Sequence, residues 1–103
     1  MVARLLIRAS ARHTLALRVA ASRPDAFEKT IEAVAESDRD WVEFIACDRM
    51  ATIDPAHARR LAEGKPPGRV RALAYLCLAR GLAKSSPEEA RRALRLAINE
   101  FEA

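Results

Sequence analysis

Residues 73–101 read LAYLCLARGLAKSSPEEARRALRLAINEF, which spells a helix, a short turn and a second helix. In the second half, Ala90, Ala93, Leu94, Ala97, Ile98 and Phe101 recur at steps of three and four. That spacing gathers side chains on one face of a 3.6-residue helix. Arg91, Arg92, Arg95 and Glu102 fall elsewhere and can stay wet. Three signals mark the start. Ser86 can cap free backbone N–H groups, and Glu89, three residues on, completes a capping box. Pro87 takes the first helical position, where its missing N–H costs nothing. Glu88 and Glu89 also suit the positive end of the helix dipole.

The preceding helix, about residues 69–84, carries Val70, Leu73, Leu76, Cys77, Leu78 and Leu82. It is apolar on more than one side, which predicts neighbours on more than one side. The connection Lys84-Ser85-Ser86 is short, so the two helices are expected to run antiparallel.

Earlier residues repeat the plan more loosely. A first helix over 3–22 places Leu6, Ala9, His13, Ala16, Leu17 and Ala20 on one face and Arg4, Arg8 and Arg12 on another. Arg23-Pro24 breaks it, and a second helix is expected to run to about Glu36 with Phe27, Ile31 and Val34 inward. Ser37 and Asp40 read as the cap of a third helix through Trp41, Phe44, Ile45, Cys47, Met50 and Ile53. Asp54-Pro55 opens a short fourth helix with Ala58, Leu61 and Ala62, ended by Gly64-Lys65-Pro66-Pro67-Gly68. A shift of 32 residues places Pro55 on Pro87 and also matches Ala51 with Ala83, Ala58 with Ala90, Arg59 with Arg91 and Arg60 with Arg92. A shift of 31 places Pro24 on Pro55 and Ala20 on Ala51. Periods of this length mark stacked helical arrays.

The expected fold is therefore all-α, a single domain over 1–103. It consists of three tandem antiparallel hairpins (about 3–36, 38–64 and 68–102) stacked as a short superhelix. In SPEEARRALRLAINE the pattern of Ala90, Leu94 and Ala97 resembles the second helix of a tetratricopeptide-type repeat. The period is shorter than that family's, its Trp-Leu-Gly-Tyr pattern is missing, and Glu102 stands where its closing proline would be. A generic αα repeat fits these residues nearly as well. The resemblance implies a right-handed superhelix with a concave face for a partner peptide or protein.

Charge is banded along the chain. The net formal charge is +4, yet residues 1–23 hold Arg4, Arg8, Arg12, Arg18 and Arg23 and no acid. Residues 24–64 carry 10 acids against 5 bases, and residues 65–95 carry 8 bases against 2 acids. The Arg-rich start shares its composition with organelle transit peptides, but chains rich in Arg and Ala produce that composition by chance. Arg8 interrupts the only early apolar run, Leu5-Leu6-Ile7, which argues against a secretory signal. No uncharged run approaches a membrane span. The location expected is cytoplasmic, with no membrane partner.

Cys47 and Cys77 sit in apolar helical runs and read as small buried hydrophobes in a reducing compartment. With His13 and His57 they are the right residue types for zinc, but no two share a ligand spacing. The expected roles are two core cysteines, one interface histidine and one surface histidine. A Cys47–His57 catalytic pair is conceivable, but mid-helix apolar thiols are inert. With only three glycines there is no phosphate loop. The pattern calls for no cofactor, no metal and no catalytic residue. The leading reading is a non-catalytic scaffold for protein–protein interaction. Its candidate partner contacts are the row Arg4, Arg8 and Arg12, and Trp41, whose competing role is a wedge between hairpins. Leu5, Leu15 and Val19 lie outside the main stripe of the first helix, and self-association is expected there. The polar back of the last helix (Arg91, Arg92, Arg95, Asn99) is expected to cap the domain. The alternative is a basic nucleic-acid-binding helical domain using Arg4, Arg8, Arg12, Arg18 and the 65–95 band. Scarce aromatics, 5% of residues, and the acidic middle weigh against it.

Overall fold

The structure, a computed structural model, describes the backbone of residues 2–102 and the side chains of residues 11–102. It is all-helical: α1 (Val2–Ser22), a 3-10 turn (Pro24–Ala26) running into α2 (Phe27–Ile31), α3 (Glu36–Met50), α4 (Pro55–Glu63), α5 (Arg69–Leu82) and α6 (Pro87–Glu102). The long helices α1, α3 and α5 pack side by side with α3 in the middle. The shorter α4 lies against both α3 and α5, α2 lies mainly against α1, and α6 packs on α5. The result is longer in one direction than a globule, with extents of 46 × 29 × 19 Å and a radius of gyration of 13.9 Å. A compact chain of this length would give about 13 Å.

The core is mostly alanine at the contacts between helices. Ala16, Ala20, Ala46, Ala51, Ala58, Ala62, Ala74 and Ala97 are fully buried, with Phe27, Val34, Val42, Met50, Leu78 and Leu82 between them. Small residues let helix axes approach, and α5 shows how closely. A Cβ added to Gly81 would lie 2.3 Å from the Asp48 carbonyl oxygen and 2.7 Å from the Ala51 Cβ. Glycine is present there because the α5 backbone comes directly against the α3 backbone.

Pro24, Pro55 and Pro87 sit in matching local geometry. Arg23, Asp54 and Ser86, each just before a proline, donate their N–H to the carbonyl four residues back: Val19 at 2.6 Å, Met50 at 2.8 Å and Leu82 at 2.8 Å. Arg23 (φ −140, ψ 74) and Asp54 (φ −143, ψ 79) share nearly one backbone conformation. A following proline pushes the residue before it out of the helical region, as here. Asp54 also caps α4 through its carboxylate, which accepts the His57 N–H at 3.1 Å. The elements that follow are unequal, however: Pro24 opens a 3-10 turn, Pro55 a nine-residue helix and Pro87 a sixteen-residue helix.

Three expectations need correction. The second helix ends at Ile31, not near Glu36, and α3 begins at Glu36 with Ala35 as its cap residue. Ser37 and Asp40 therefore do not cap α3, since Ala35 offers no side-chain hydrogen bond. The early end of α2 is compensated by arginines from its neighbours. Arg39 Nε donates to the Val34 carbonyl and Arg39 Nη2 to that of Glu32, both at 3.0 Å, and Arg12 Nη1 reaches the Ala33 carbonyl at 3.5 Å. Guanidinium groups satisfy the free carbonyls of a helix C-terminus and suit its partial negative charge. The capping box at α6 is also not formed. Ser86 N–H is already held by Leu82, and Glu89 turns instead to Arg59 on α4 and to Arg92 at 3.3 Å.

Candidate interaction surfaces

Trp41 and Arg12 were singled out as partner contacts, and both lie where α1 meets the start of α3. Trp41 is 41% exposed and stands edge-on to the His13 ring, with centroids 4.8 Å apart and planes at 75°. His13 Nε2 lies 3.2 Å from Asp38 Oδ2. An aromatic packed edge-to-face and a histidine reaching a carboxylate make Trp41 a wedge between α1 and α3, with one side still open to solvent. Arg12 is exposed and spans to the Ala33 carbonyl. Arg4 and Arg8 lie on α1, and their side chains fall outside the described residues.

Further ionic contacts gather around the α4–α5 turn. Lys65, in the α4–α5 turn, is buried, and its ammonium donates to Asp40 Oδ1 at 2.6 Å and Glu43 Oε2 at 3.0 Å on α3. Burial pulls its pKa down, but the two carboxylates outweigh that and hold it above the usual lysine value. The Lys65 carbonyl accepts from Arg71 Nε at 3.0 Å. Glu100 on α6 reaches back to the start of α5: one oxygen accepts the Gly68 N–H at 2.7 Å and the other accepts from Arg71 at 3.2 Å. The Gly68 N–H, then Arg71, hold the Glu100 carboxyl below the usual range. Gly68 has φ 97, a conformation that side chains rarely adopt. Sequence patterning pointed to neither Lys65 nor Glu100. Their partners lie 22–32 residues away, beyond the reach of local periodicity.

Polar side-chain contacts also join α2 to α4 and α4 to α6. His57 on α4 lies 2.5 Å from Glu28 on α2, and Arg59 on α4 pairs with Glu89 on α6. His57 is therefore a second interface histidine, 12% exposed at its side chain, where a surface one was expected. It faces Glu28, not Cys47. Cys47 is fully buried, and burial first, then nearby Cys77 and Glu43, pushes its thiol up to about 12. Burial raises half-buried Cys77 as well. Both therefore stay protonated near neutrality.

The largest correction concerns α6. Leu94, Ile98 and Phe101 were expected inward, yet they are 44%, 46% and 53% exposed. The alanines of the same stripe, Ala93 and Ala97, take the contact with α5. Because α6 packs essentially on one neighbour, the small residues occupy the close approach and the large ones are left on its shoulder. The last helix is thus not a finished cap. On α1, Leu15 is 55% exposed as expected, Val19 packs partly against the core, and the Leu5 side chain lies outside the described residues.

Between α4 and α6 runs a cleft of about 190 Å³, floored by buried Leu78 and Leu82 and walled by Arg59, Glu63, Arg92 and Leu96. Its polar walls and apolar floor suit one side chain of a partner. Among the described residues no helix is long and apolar enough to cross a membrane, and no group of three potential metal ligands occurs. Comparison with family models, curated proteins and solved structures returns no match.

Proposed function

We propose that the chain is a non-catalytic protein-interaction module of the cytoplasm. In this reading it is built of three tetratricopeptide-like αα pairs, α1–α2, α3–α4 and α5–α6, stacked as a right-handed superhelix. The matched hydrogen bonds before Pro24, Pro55 and Pro87 support the repeat. So does the row of polar side-chain contacts linking α2 to α4 and α4 to α6. The observation that carries the interaction reading is the uncovered series Leu94, Ile98 and Phe101 on the end helix. Exposed apolar side chains in a row mark places where another surface docks. The raised thiols and the carboxylate-bound histidines support structural roles for the residues best suited to catalysis.

The rival, nucleic-acid binding through the basic bands, is less favoured because much of that basic charge is engaged internally. Arg12, Lys65, Arg71 and Arg92, all in those bands, bond to carboxylates or carbonyls of the same chain. Selection of displayed peptides against the folded chain tests the main reading. Peptides carrying an apolar anchor should emerge and should lose binding to Leu96→Glu, which blocks the cleft. Selection that yields no such peptide, with filter-bound single-stranded DNA or RNA retained in a salt-dependent way, would favour the rival.

A further inference from the structure

The geometry points to a second copy of this chain as the occupant of the α6 face, paired α6 to α6, antiparallel, about a two-fold axis. This rests on the interaction-module reading and deepens it by naming one partner. Leu94, Ile98 and Phe101 lie at steps of four and three, so they form one ridge about 10 Å long. At 3.6 residues per turn, Arg91, Arg95 and Glu102, all exposed, fall together on the open shoulder of that ridge. The opposite shoulder is Ala93 and Ala97, already against α5.

Charge decides between the two ways a second copy could cover this ridge. Seating its α1 there would continue the array head to tail. Residues 1–23, however, carry five arginines and no acid, and they would meet Arg91 and Arg95. Like charges set against each other cost affinity. An antiparallel α6–α6 pair instead brings matching shoulders together, because each helix is reversed relative to the other. With the axis between Ala97 and Ile98, Leu94 of each copy meets Phe101 of the other. Glu102 then lies level with position 93 of the second copy, between its Arg91 and Arg95. The two-fold makes each of these contacts twice and closes the assembly at a dimer. Three half-exposed side chains per copy form a small seam, so association in the range of about 10–100 µM is expected.

Sedimentation equilibrium on the full chain, from low to high micromolar, tests this. The wild type should pass from monomer to dimer mass over that range, and Ile98→Glu should stay monomeric throughout. Glu102→Arg should weaken the dimer several-fold, and Arg95→Glu combined with Glu102→Arg should recover it, because both copies then carry the exchanged pair. Ile98 is half-exposed, so helical circular dichroism should show the variant folded, and Ile98→Ser serves as a milder second substitution. A wild type that remains monomeric overturns the inference. So does a dimer indifferent to both Ile98 substitutions, or one lost instead on Leu15→Glu, which would seat the contact on α1. A monomer that still binds selected peptides removes the dimer and leaves the interaction module standing. A dimer that binds no peptide supports the seam and counts against the wider reading.

Discussion

Helices α5 and α6 are joined by one short turn and both carry an apolar stripe at helical spacing, yet they end in opposite situations. α5 has neighbours α3, α4 and α6, and it buries Ala72, Ala74, Tyr75, Leu78 and Leu82. α6 has essentially α5 alone, and it buries only Ala93 and Ala97 while its larger side chains stand in solvent. Stripe composition is therefore a poor guide to burial. The number of neighbours decides how wide a face can be covered, and residue size decides which part of the stripe takes the close contact. A substitution on α5 should act through packing inside the molecule, and one on α6 chiefly through whatever docks there.

The sharpest way to break this contrast is Gly81→Val. The first side-chain carbon would fall 2.3 Å from a backbone oxygen of α3, which cannot move aside as a flexible side chain could. Separation of α3 from α5 should cost about 3 kcal/mol or more, read as a lower denaturation midpoint followed by Trp41 fluorescence. Unchanged stability would mean that the two helices do not touch there. Next in size is Lys65→Met, which removes the tie from the α4–α5 turn to α3 and leaves Glu43, 15% exposed at its side chain, without its cation. A loss of about 1–3 kcal/mol is expected in urea melts, and it should be partly recovered by Glu43→Gln in the same chain.

How much of this was legible beforehand follows the same division. Whatever depends on local chemistry could be read: the all-helical class, the breaks at Pro24, Pro55 and Pro87, the Asp54 cap, and neighbours on several sides of α5. Each is written within four residues of where it acts. The failures came where a distant group competes with a local one. Glu89 has the right spacing to close a capping box, but Leu82 already holds the Ser86 N–H and Arg59 draws the carboxylate away. Helix α2 has enough apolar residues to run further, but arginines from α1 and α3 hold the carbonyls of Glu32, Ala33 and Val34 just past its end. For the surfaces, Trp41 was named as a partner contact, and its competing role, a wedge between helices, is the one its contact with His13 fits. The α6 ridge was missed because a periodic stripe looks the same whether one neighbour covers it or two.

Alkaline pH offers a graded test of the α3–α5 side. Cys47 on α3 has its folded pKa raised from 9.0 to about 12. The unfolded chain therefore loses this proton first as pH rises. The resulting stabilisation of the fold is complete below pH 9 and is lost progressively between pH 9 and 12, by about 1.4 kcal/mol for each pH unit. Lys65, also raised, adds a loss of the same sign above its ordinary value of 10.5. Urea midpoints measured across this range should fall steeply for the wild type and less steeply for Cys47→Ala. Parallel slopes would show that the thiol is not held in an apolar site.

The smallest expected effect is on α6 and bears most directly on the contrast. Leu94→Ala deletes a side chain that is 44% exposed in the isolated chain, so dilute-solution stability should change by less than about 1 kcal/mol. The equally conservative Leu78→Ala on α5 removes a side chain only 2% exposed and should cost about 2–5 kcal/mol. The two should converge only as concentration rises, because Leu94 gains a neighbour when copies associate and stability then depends on concentration by mass action. Melting both variants and the wild type at low and high micromolar concentration separates the cases. If Leu94→Ala were as costly as Leu78→Ala at the lowest concentration, the ridge would already be covered within a single chain. The difference between the two helices would then vanish, and with it the reason to look for a docking partner on α6.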